Sequence, residues 1–525
     1  MASILDSPQM EHLSTIVEEA TRSTEEGVKY FVEPAGGSLR RCKSRRHHIT
    51  FGRRGSGKSS LLRKAASDLT VDRAPIATVD LEPFKGHSYP DLLLSVLIAA
   101  FSSFKTWLDT AAVTPATNAG FWRKFFGGVP SKAAYNRRAC EKLAAEAAAQ
   151  IAELDQHLHS AETADVKRTT SSATEDTEAG KASAGISIAS VGKVGSELSA
   201  SQTLKEGATT EEQFRRSKID FLRHQVMNYQ RVFDRLFEIS DSDGYLFLDD
   251  LYHIKRQNQP QVLDYFHSIA KNHHLWLKVG TIRHRTDWYI HGDPPVGLKL
   301  GDDADEIDLD LTLEKYVLTK RFLVEILNNL SSSAELSPDE FITDGAVDRL
   351  VLASGGVARD FLSIFRRAID VSRERSADKI SAEDVNMAAG EYEPAKREEF
   401  KRDTYSDEES SLDSVFQSVR DFCLETANSN CFLINKDAAG PDIDFLHELV
   451  DLKLLHLIRS RVTVNSRGGQ IYEAYMLDLS QYAGARKRRG LEVIEFWKAD
   501  STQRLRRVSL IYREKTKRHG ESEAT

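Results

Sequence analysis

The chain has 525 residues, 40% hydrophobic and 29% charged, with a formal net charge of -8 and four cysteines. A single core rarely grows past about 250–300 residues, so two or three domains are expected, and four scattered cysteines make no disulfide framework. The opening residues lack the basic-then-apolar order of a secretory signal, and the longest apolar stretch, 92–101, is shorter than the roughly 20 residues of a bilayer span, so a cytoplasmic protein with no membrane partner is expected.

Residues 1–39 read as helix then loop, broken at Pro34-Ala35-Gly36-Gly37. His48-Ile49-Thr50-Phe51 is a short β-rich run that feeds a glycine-rich loop, followed by helical character over 61–69 and a second buried strand over 75–81 with Asp80 near its end. Strand, loop, helix, strand is the opening of a parallel α/β sheet. An apolar helix is expected over 89–110 and a long Ala- and Glu-rich helix over 132–159. From 161 to 207 Ser, Thr, Ala, Gly and charged residues dominate, and the alternation at 185–191 suits a β-hairpin. This insertion is either a surface excursion or a contact surface ordered only in an assembly.

Regular structure resumes with a helix over 212–239 and the apolar strand Gly244-Tyr245-Leu246-Phe247-Leu248-Asp249-Asp250. A helix at 260–271, a strand at 275–281 and a closing strand at 306–311 complete the sheet; 316–330, 344–353, 358–376 and 382–391 are helical, and the charged stretch 393–411 reads as a linker. Beyond it come a helix (413–427), a strand (431–434), a helix (442–452) and two strands (455–464, 470–477) around Ser466-Arg467-Gly468-Gly469. Helices followed by a glycine-turned hairpin describe a winged helix-turn-helix. Residues 483–525 hold twelve Lys or Arg against six Asp or Glu. The block Arg486-Lys487-Arg488-Arg489 suits phosphate neutralisation, although a charge run equally serves as a solvated face.

Gly52, Gly57, Lys58 and Ser59 meet the pattern Gly-x-x-x-x-Gly-Lys-Ser between a β-like run and a helix. Backbone N–H groups of such a loop, here Gly52, Arg53, Arg54, Gly55, Ser56 and Gly57, turn inward on a phosphate, and the helix that follows through Ser59 and Ser60 adds its positive dipole end. Lys58 is placed to reach the β- and γ-phosphates and Ser59 to offer its hydroxyl to magnesium. Asp249, at the end of an apolar strand, is the expected second magnesium-organising residue; Asp250 either polarises the attacking water or caps the following helix. Thr281 ends a strand where a hydroxyl would meet the γ-phosphate or the water. Arg359, after Gly355-Gly356, is placed to bring a guanidinium onto the phosphates, and Arg283 and Arg285 to act on a neighbouring subunit's nucleotide; surface salt bridges are the competing reading for all three.

With these residues placed, the chain resembles the AAA+ ATPases of the origin-recognition and replication-initiator type. The resemblance covers roughly 29–110 and 214–479 and is carried by 50–59, Leu246 to Asp250, Gly355-Gly356-Val357-Ala358-Arg359 and Ile380-Ser381-Ala382-Glu383-Asp384-Val385. It implies an α/β P-loop sheet core, a helical lid and a C-terminal winged helix, with ATP and Mg2+ bound, homo-oligomeric assembly, and contact with double-stranded DNA. The implied division is an N-terminal helical segment (1–39), an ATPase domain (40–312) with an insertion at about 112–210, a lid (313–395), a charged linker (396–411), a winged helix (412–482) and a basic tail (483–525). No guanine-reading Asn-Lys-x-Asp motif occurs, and the resemblance favours ATP.

Members of that family usually end the second motif in Asp-Glu, where this chain has Asp249-Asp250. A misplacement of about 1 Å costs on the order of a hundredfold in rate, so slow hydrolysis is expected. The Asp-Asp ending and the domain order are also similar to the STAND signalling NTPases, and the large insertion is similar to those of bacterial antiphage NTPases. The alternative is therefore a signalling or defence switch that recruits a separately encoded protein effector, with no DNA role of its own.

Overall fold

The computed structural model describes residues 3–22, 26–114, 134–159, 195–403, 409–438, 440–464, 469–483, 490–498 and 501–512, the side chains of 26, 195–214, 402, 403 and 442 excepted. The expected hairpin at 185–191, the turn at 465–468 and the basic block at 486–489 lie outside the described residues. In chain order, α1 (Pro8–Ala20) and α2 (Ser38–Cys42) precede β1 (His47–Phe51), α3 (Lys58–Val71), β2 (Ile76–Asp80), α4 (Asp91–Val113), α5 (Arg137–Leu158) and α6 (Gly195–Ser240). Next come β3 (Gly244–Asp249), α7 (Gln259–Ala270), β4 (Leu275–Thr281), the two-residue strands β5 (Tyr289–Ile290) and β6 (Val296–Gly297), and β7 (Ala304–Asp308).

Five of these strands form one parallel sheet in the order β2-β3-β4-β1-β7. The two-residue period of a strand divides β3 between two cores. Tyr245 and Phe247 pack with Leu61, Leu62 and Ala65 of α3, while Leu246 and Leu248 join Leu93, Phe101 and Phe104 of α4 and Val262 of α7. Burial on both faces is why β3 reads as a continuous apolar run. By length and composition α4 is apolar enough to span a bilayer, longer than the ten-residue stretch that the sequence brings to notice; its Leu92, Leu93, Val96, Leu97 and Phe104 are instead buried in this core. The closing strand is β7, set by its register with β1 from His47↔Ala304 to Phe51↔Asp308, two residues earlier than the hydropathy suggests.

The helices α8 (Tyr316–Ser333), α9 (Pro338–Phe341), α10 (Asp344–Ala353), α11 (Ala358–Glu374) and α12 (Ala382–Asp403) follow. They share a single core with α1, whose Met10, Leu13, Ile16 and Val17 are buried there. The expected linker is a correction, because α12 continues through Pro394 to Asp403. Glu393, Lys396 and Phe400, spaced i, i+3, i+7, are buried on one helical face; Lys396 is paired with Asp478 inside the protein, and Glu393 with Arg397 one turn along the helix.

The C-terminal unit comprises α13 (Glu409–Asp421), β8 (Cys431–Asn435), α14 (Pro441–Asp451), β9 (Leu455–Thr463), β10 (Ile471–Leu477) and α15 (Ser501–Leu505). Its strands form an antiparallel sheet ordered β8-β10-β9. The segment expected as a basic tail is in part a packed element: Ile494, Phe496, Leu505 and Leu510 are buried, and Tyr512 N–H donates to Leu433 O at 2.9 Å. Apolar residues spaced among the arginines account for the difference.

Candidate nucleotide site

Strand β1 carries the chain into the glycine-rich loop, and α3 begins at Lys58. Gly55 and Gly57 have φ of +84° and +101°, which side-chain-bearing residues rarely adopt. A Cβ on Gly55 would also lie 2.7 Å from Arg359 Cβ, so the missing side chain lets α11 close on the loop. Lys58 is buried, and its Nζ donates to Gly52 O at 2.7 Å and Arg53 O at 3.2 Å, curled over the loop it follows. Burial lowers its pKa, opposed by the charges of Asp250 and Asp249.

Asp249 ends β3 beside this loop. Its pKa is raised to about 6, first by burial and then by Asp250, against a hydrogen bond from Ser59 and the charge of Lys58. Room for this carboxylate comes from Gly280 on β4, where a Cβ would stand 2.6 Å from Asp249 Oδ1 and 2.9 Å from Leu62 Cδ1. Asp250 has a left-handed backbone (φ +57°), and its carboxylate makes no capping hydrogen bond to the turn that follows, whose His253 N–H goes to the Asp250 carbonyl; the carboxylate is therefore not a helix cap.

Arg54, Gly55, Ser56, Gly57, Lys58, Ser59, Ser60, Asp249, Asp250 and Arg359 all line one cleft of about 260 Å³. The structure brings Arg359 to the loop from the helical block: its N–H donates to Gly55 O at 3.2 Å, and its Nε to Thr21 O at 3.2 Å. Gly52 and Arg53 stand behind the cleft. The Arg53 guanidinium is buried, with Nε on Asp310 Oδ1 (3.2 Å) and Nη2 on Leu311 O (3.2 Å) and Gly355 O (3.1 Å), clamping the loop to the base of the helical block.

Two expected positions are corrected, and at a third, Arg283, the structure shows the competing salt-bridge reading. Thr281 is fully buried, its hydroxyl bonded to that of Thr286, and it does not line the cleft. Strand alternation is the reason: the neighbouring Gly280 faces Asp249 and Leu62, so Thr281 faces away. Arg285 is buried, its guanidinium over the Tyr252 ring, and is out of reach of another subunit. Arg283 stacks over Phe51 at 4.1 Å and places Nη1 and Nη2 each 3.2 Å from Glu306 Oε2, an ion pair within the chain.

Sequence reasoning missed the other end of the cleft. Val28, Phe31, Val32, Phe322, Ile326 and Leu330 line it with apolar surface, while Asp80 and Glu82 flank the polar end. Asp80 lies opposite Asp249 in the β2–β3 register, a pairing that two strands far apart in sequence do not announce. The apolar wall is assembled from two segments almost 300 residues apart, and neither carries a motif.

The residues present suit a phosphate chain with a divalent cation. Among the described residues Ser56 Oγ is buried with no hydrogen-bond partner, and the buried acid Asp249 accepts from the Ser59 hydroxyl and the Asp250 N–H and forms no ion pair.

From the loop inward runs a line of charges that are half-buried at Arg54 and Glu399 and buried beyond them. Arg54 Nε meets Glu399 Oε1 at 3.1 Å; Glu399 Oε2 accepts from Lys453 Nζ at 2.6 Å; Lys453 reaches Asp360 Oδ1 at 3.1 Å. Lys396 lies 3.9 Å from Asp360 and donates to Asp478 Oδ2 at 2.7 Å, which also meets His456 Nε2 at 2.8 Å. The His456 ring fills the space beside Gly355, where no Cβ would fit. Burial alone would raise the Asp478 carboxyl, but Lys396 and His456 hold it well below the usual range.

No family model matches this chain, and no curated protein matches it. Among solved structures it is similar to the ORC1 protein of Aeropyrum pernix in complex with DNA, at 14% identity over 86% of this chain and 91% of that one, with a TM-score of 0.36. It is also similar to Drosophila ORC bound to DNA (11% identity, 91% of each chain, TM-score 0.33) and to Cdc6p from Pyrobaculum aerophilum (11%, 83% and 86%, TM-score 0.31).

Proposed function

We propose that this chain is an ATP-binding switch of the AAA+ type that acts on duplex DNA. The observation that carries the reading is the single cleft where the loop 54–60, the carboxylates Asp249 and Asp250, and Arg359 from the helical block converge. Lys58 would turn its ammonium from the loop carbonyls onto the phosphates, Ser56 would donate its unpartnered hydroxyl, and the apolar wall from Val28 to Leu330 would take the base. Ser59 and Asp249 would hold Mg2+, which neutralises charge developing on the phosphates. Asp250 would orient the attacking water, and Arg359 would sense the phosphates and carry their presence into α11. The C-terminal unit, with the helix and hairpin order of a winged helix, is the proposed output element.

The test is calorimetric titration of ATP with Mg2+ into wild type and Lys58→Ala. Loss of binding by at least a hundredfold in the variant, about 2.7 kcal/mol, is expected. Equal affinity in both proteins would contradict the site.

A second reading, a signalling switch whose output is a protein effector, is favoured by one observation: α14 is docked on the sheet domain through Arg256–Glu448 and through His284 N–H on Asp451 Oδ2 at 3.2 Å. A stable complex with a protein neighbour, and no duplex binding in any nucleotide state, would select it.

A further inference from the structure

In a winged helix the second helix ordinarily enters a DNA groove, and the corresponding helix here is α14. Its eleven residues include Asp442, Asp444, Glu448 and Asp451 and no Lys or Arg, a composition that phosphates repel. It is also occupied: Glu448 meets Arg256, the His447 ring stacks on His284 at 5.3 Å, and Asp451 accepts from His284 N–H.

The same unit carries a basic groove built from other residues. Strand β9 is an edge of its sheet and presents Arg459 and Arg461, both exposed and both lining one groove although the strand bulges between Arg459 and Val462. Helix α15 leads into Arg506 beside them, and with Val462, Thr463 and Thr502 these residues line a groove of about 400 Å³. Neighbouring cations are already engaged: Arg507 grips Glu492 at 2.6 and 2.8 Å, and Arg504 lies 4.0 Å from the same carboxylate. Arg459, Arg461 and Arg506 have no carboxylate partner among the described residues, in a chain where acids outnumber bases by eight.

We propose that this groove grips the sugar-phosphate backbone of duplex DNA, with Arg459, Arg461 and Arg506 each neutralising a phosphate while α14 stays docked. The inference rests on the reading above that the chain acts on DNA, and it moves the contact to a face that the helix and hairpin order does not nominate. Guanidinium groups and threonine hydroxyls are phosphate-contacting groups that carry no base sequence, so binding here is of general affinity. The groove's apolar members Val462 and Leu505 are both buried, which leaves nothing in its lining to enter lipid hydrocarbon.

The experiment is fluorescence anisotropy of a mixed-sequence duplex with the full chain and Mg-ATP, between about 50 and 200 mM salt. Wild type is compared with Arg459→Glu/Arg461→Glu/Arg506→Glu, with the corresponding triple Lys variant, and with Arg138→Glu/Arg223→Glu as a surface control; melting temperature and ATP affinity are measured for each. The expected result is that the Glu triple keeps its melting temperature and ATP affinity, loses at least tenfold in duplex affinity, and has a salt slope smaller by about three, one per phosphate contact. The Lys triple and the control keep the wild-type slope. Unchanged duplex binding by the Glu triple would overturn the groove and leave the DNA reading standing. Absence of duplex binding by ATP-bound wild type would overturn both. Loss of binding to phosphatidylserine vesicles alone, with DNA binding intact, would also overturn the groove as a DNA site.

Discussion

The motif that ends β3 closes on two short acids, Asp249-Asp250, and the backbone supplies a physical reason for the second. Its φ of +57° is left-handed, a conformation that Asp and Asn enter more readily than longer side chains. A glutamate there would reach further toward the water at the cost of strain, so the short acid follows from the turn that ends β3. Asparagine keeps both the size and the left-handed tolerance. Asp250→Asn is therefore expected to keep its melting temperature and bind ATP within about threefold of wild type, while phosphate release falls by about 10²–10⁴, the range for losing a general base. An unchanged rate of phosphate release would leave Asp250 without a part in the chemistry. Asp249 was legible from the sequence because an apolar run ends in it; Gly280, which makes its space, was not, because the need for a missing side chain arises only when β3 and β4 are paired.

At the level of elements, α14 is held at its C-terminal end by an unusual acid. Burial first, and then the charge of Asp310, raise the Asp451 carboxyl to about 7, although it accepts the His284 N–H. In the unfolded chain the same carboxyl ionises near 3.9, so from about pH 4 to pH 7 the unfolded state releases a proton that the folded state keeps. The stability associated with the neutral form is complete below about pH 4 and declines as the pH rises toward 7. Asn in its place retains a carbonyl acceptor and cannot ionise. Thermal melts of Asp451→Asn should match wild type near pH 4 and lie above it near pH 8; a gain of equal size at both would contradict the assignment. Strand and helix positions were readable here from hydrophobic period, whereas the docking of α14 was not. Its acidic face has the pattern of a solvated surface, and only the approach of Arg256 and His284 buries Glu448 and Asp451.

Across the whole molecule, the ion pairs from Arg54 through Glu399, Lys453, Asp360, Lys396 and Asp478 connect the phosphate loop to the C-terminal sheet. Burial would lower the pKa of Lys453, but Asp360 and Glu399 hold it above the ordinary lysine value. Removing one partner of a buried pair strands the others, at about 3–5 kcal/mol. Lys453→Met should lose stability of that order in urea melts. If the line of charges couples the two ends, Mg-ATP should slow amide exchange in β9 and β10 of wild type and leave the same amides of Lys453→Met unaffected. Equal protection in both would assign the network to stability alone.

What the sequence by itself determined is the local and periodic part: the parallel α/β order, the loop from Gly52 to Ser59, the acid ending β3, and the helix-rich block that carries Arg359. Each depends on residues adjacent in the chain or spaced at 2.0 or 3.6. Tertiary structure alone decided that Thr281 and Arg285 face away from the cleft, that the apolar wall comes from the N-terminal segment and α8, and that charged residues expected in a linker are buried. The physical reason is the same in each case. A charge or hydroxyl has no fixed meaning in a sequence until a partner from elsewhere in the chain takes it out of water, and Lys396 and Lys453 find such partners only in the fold.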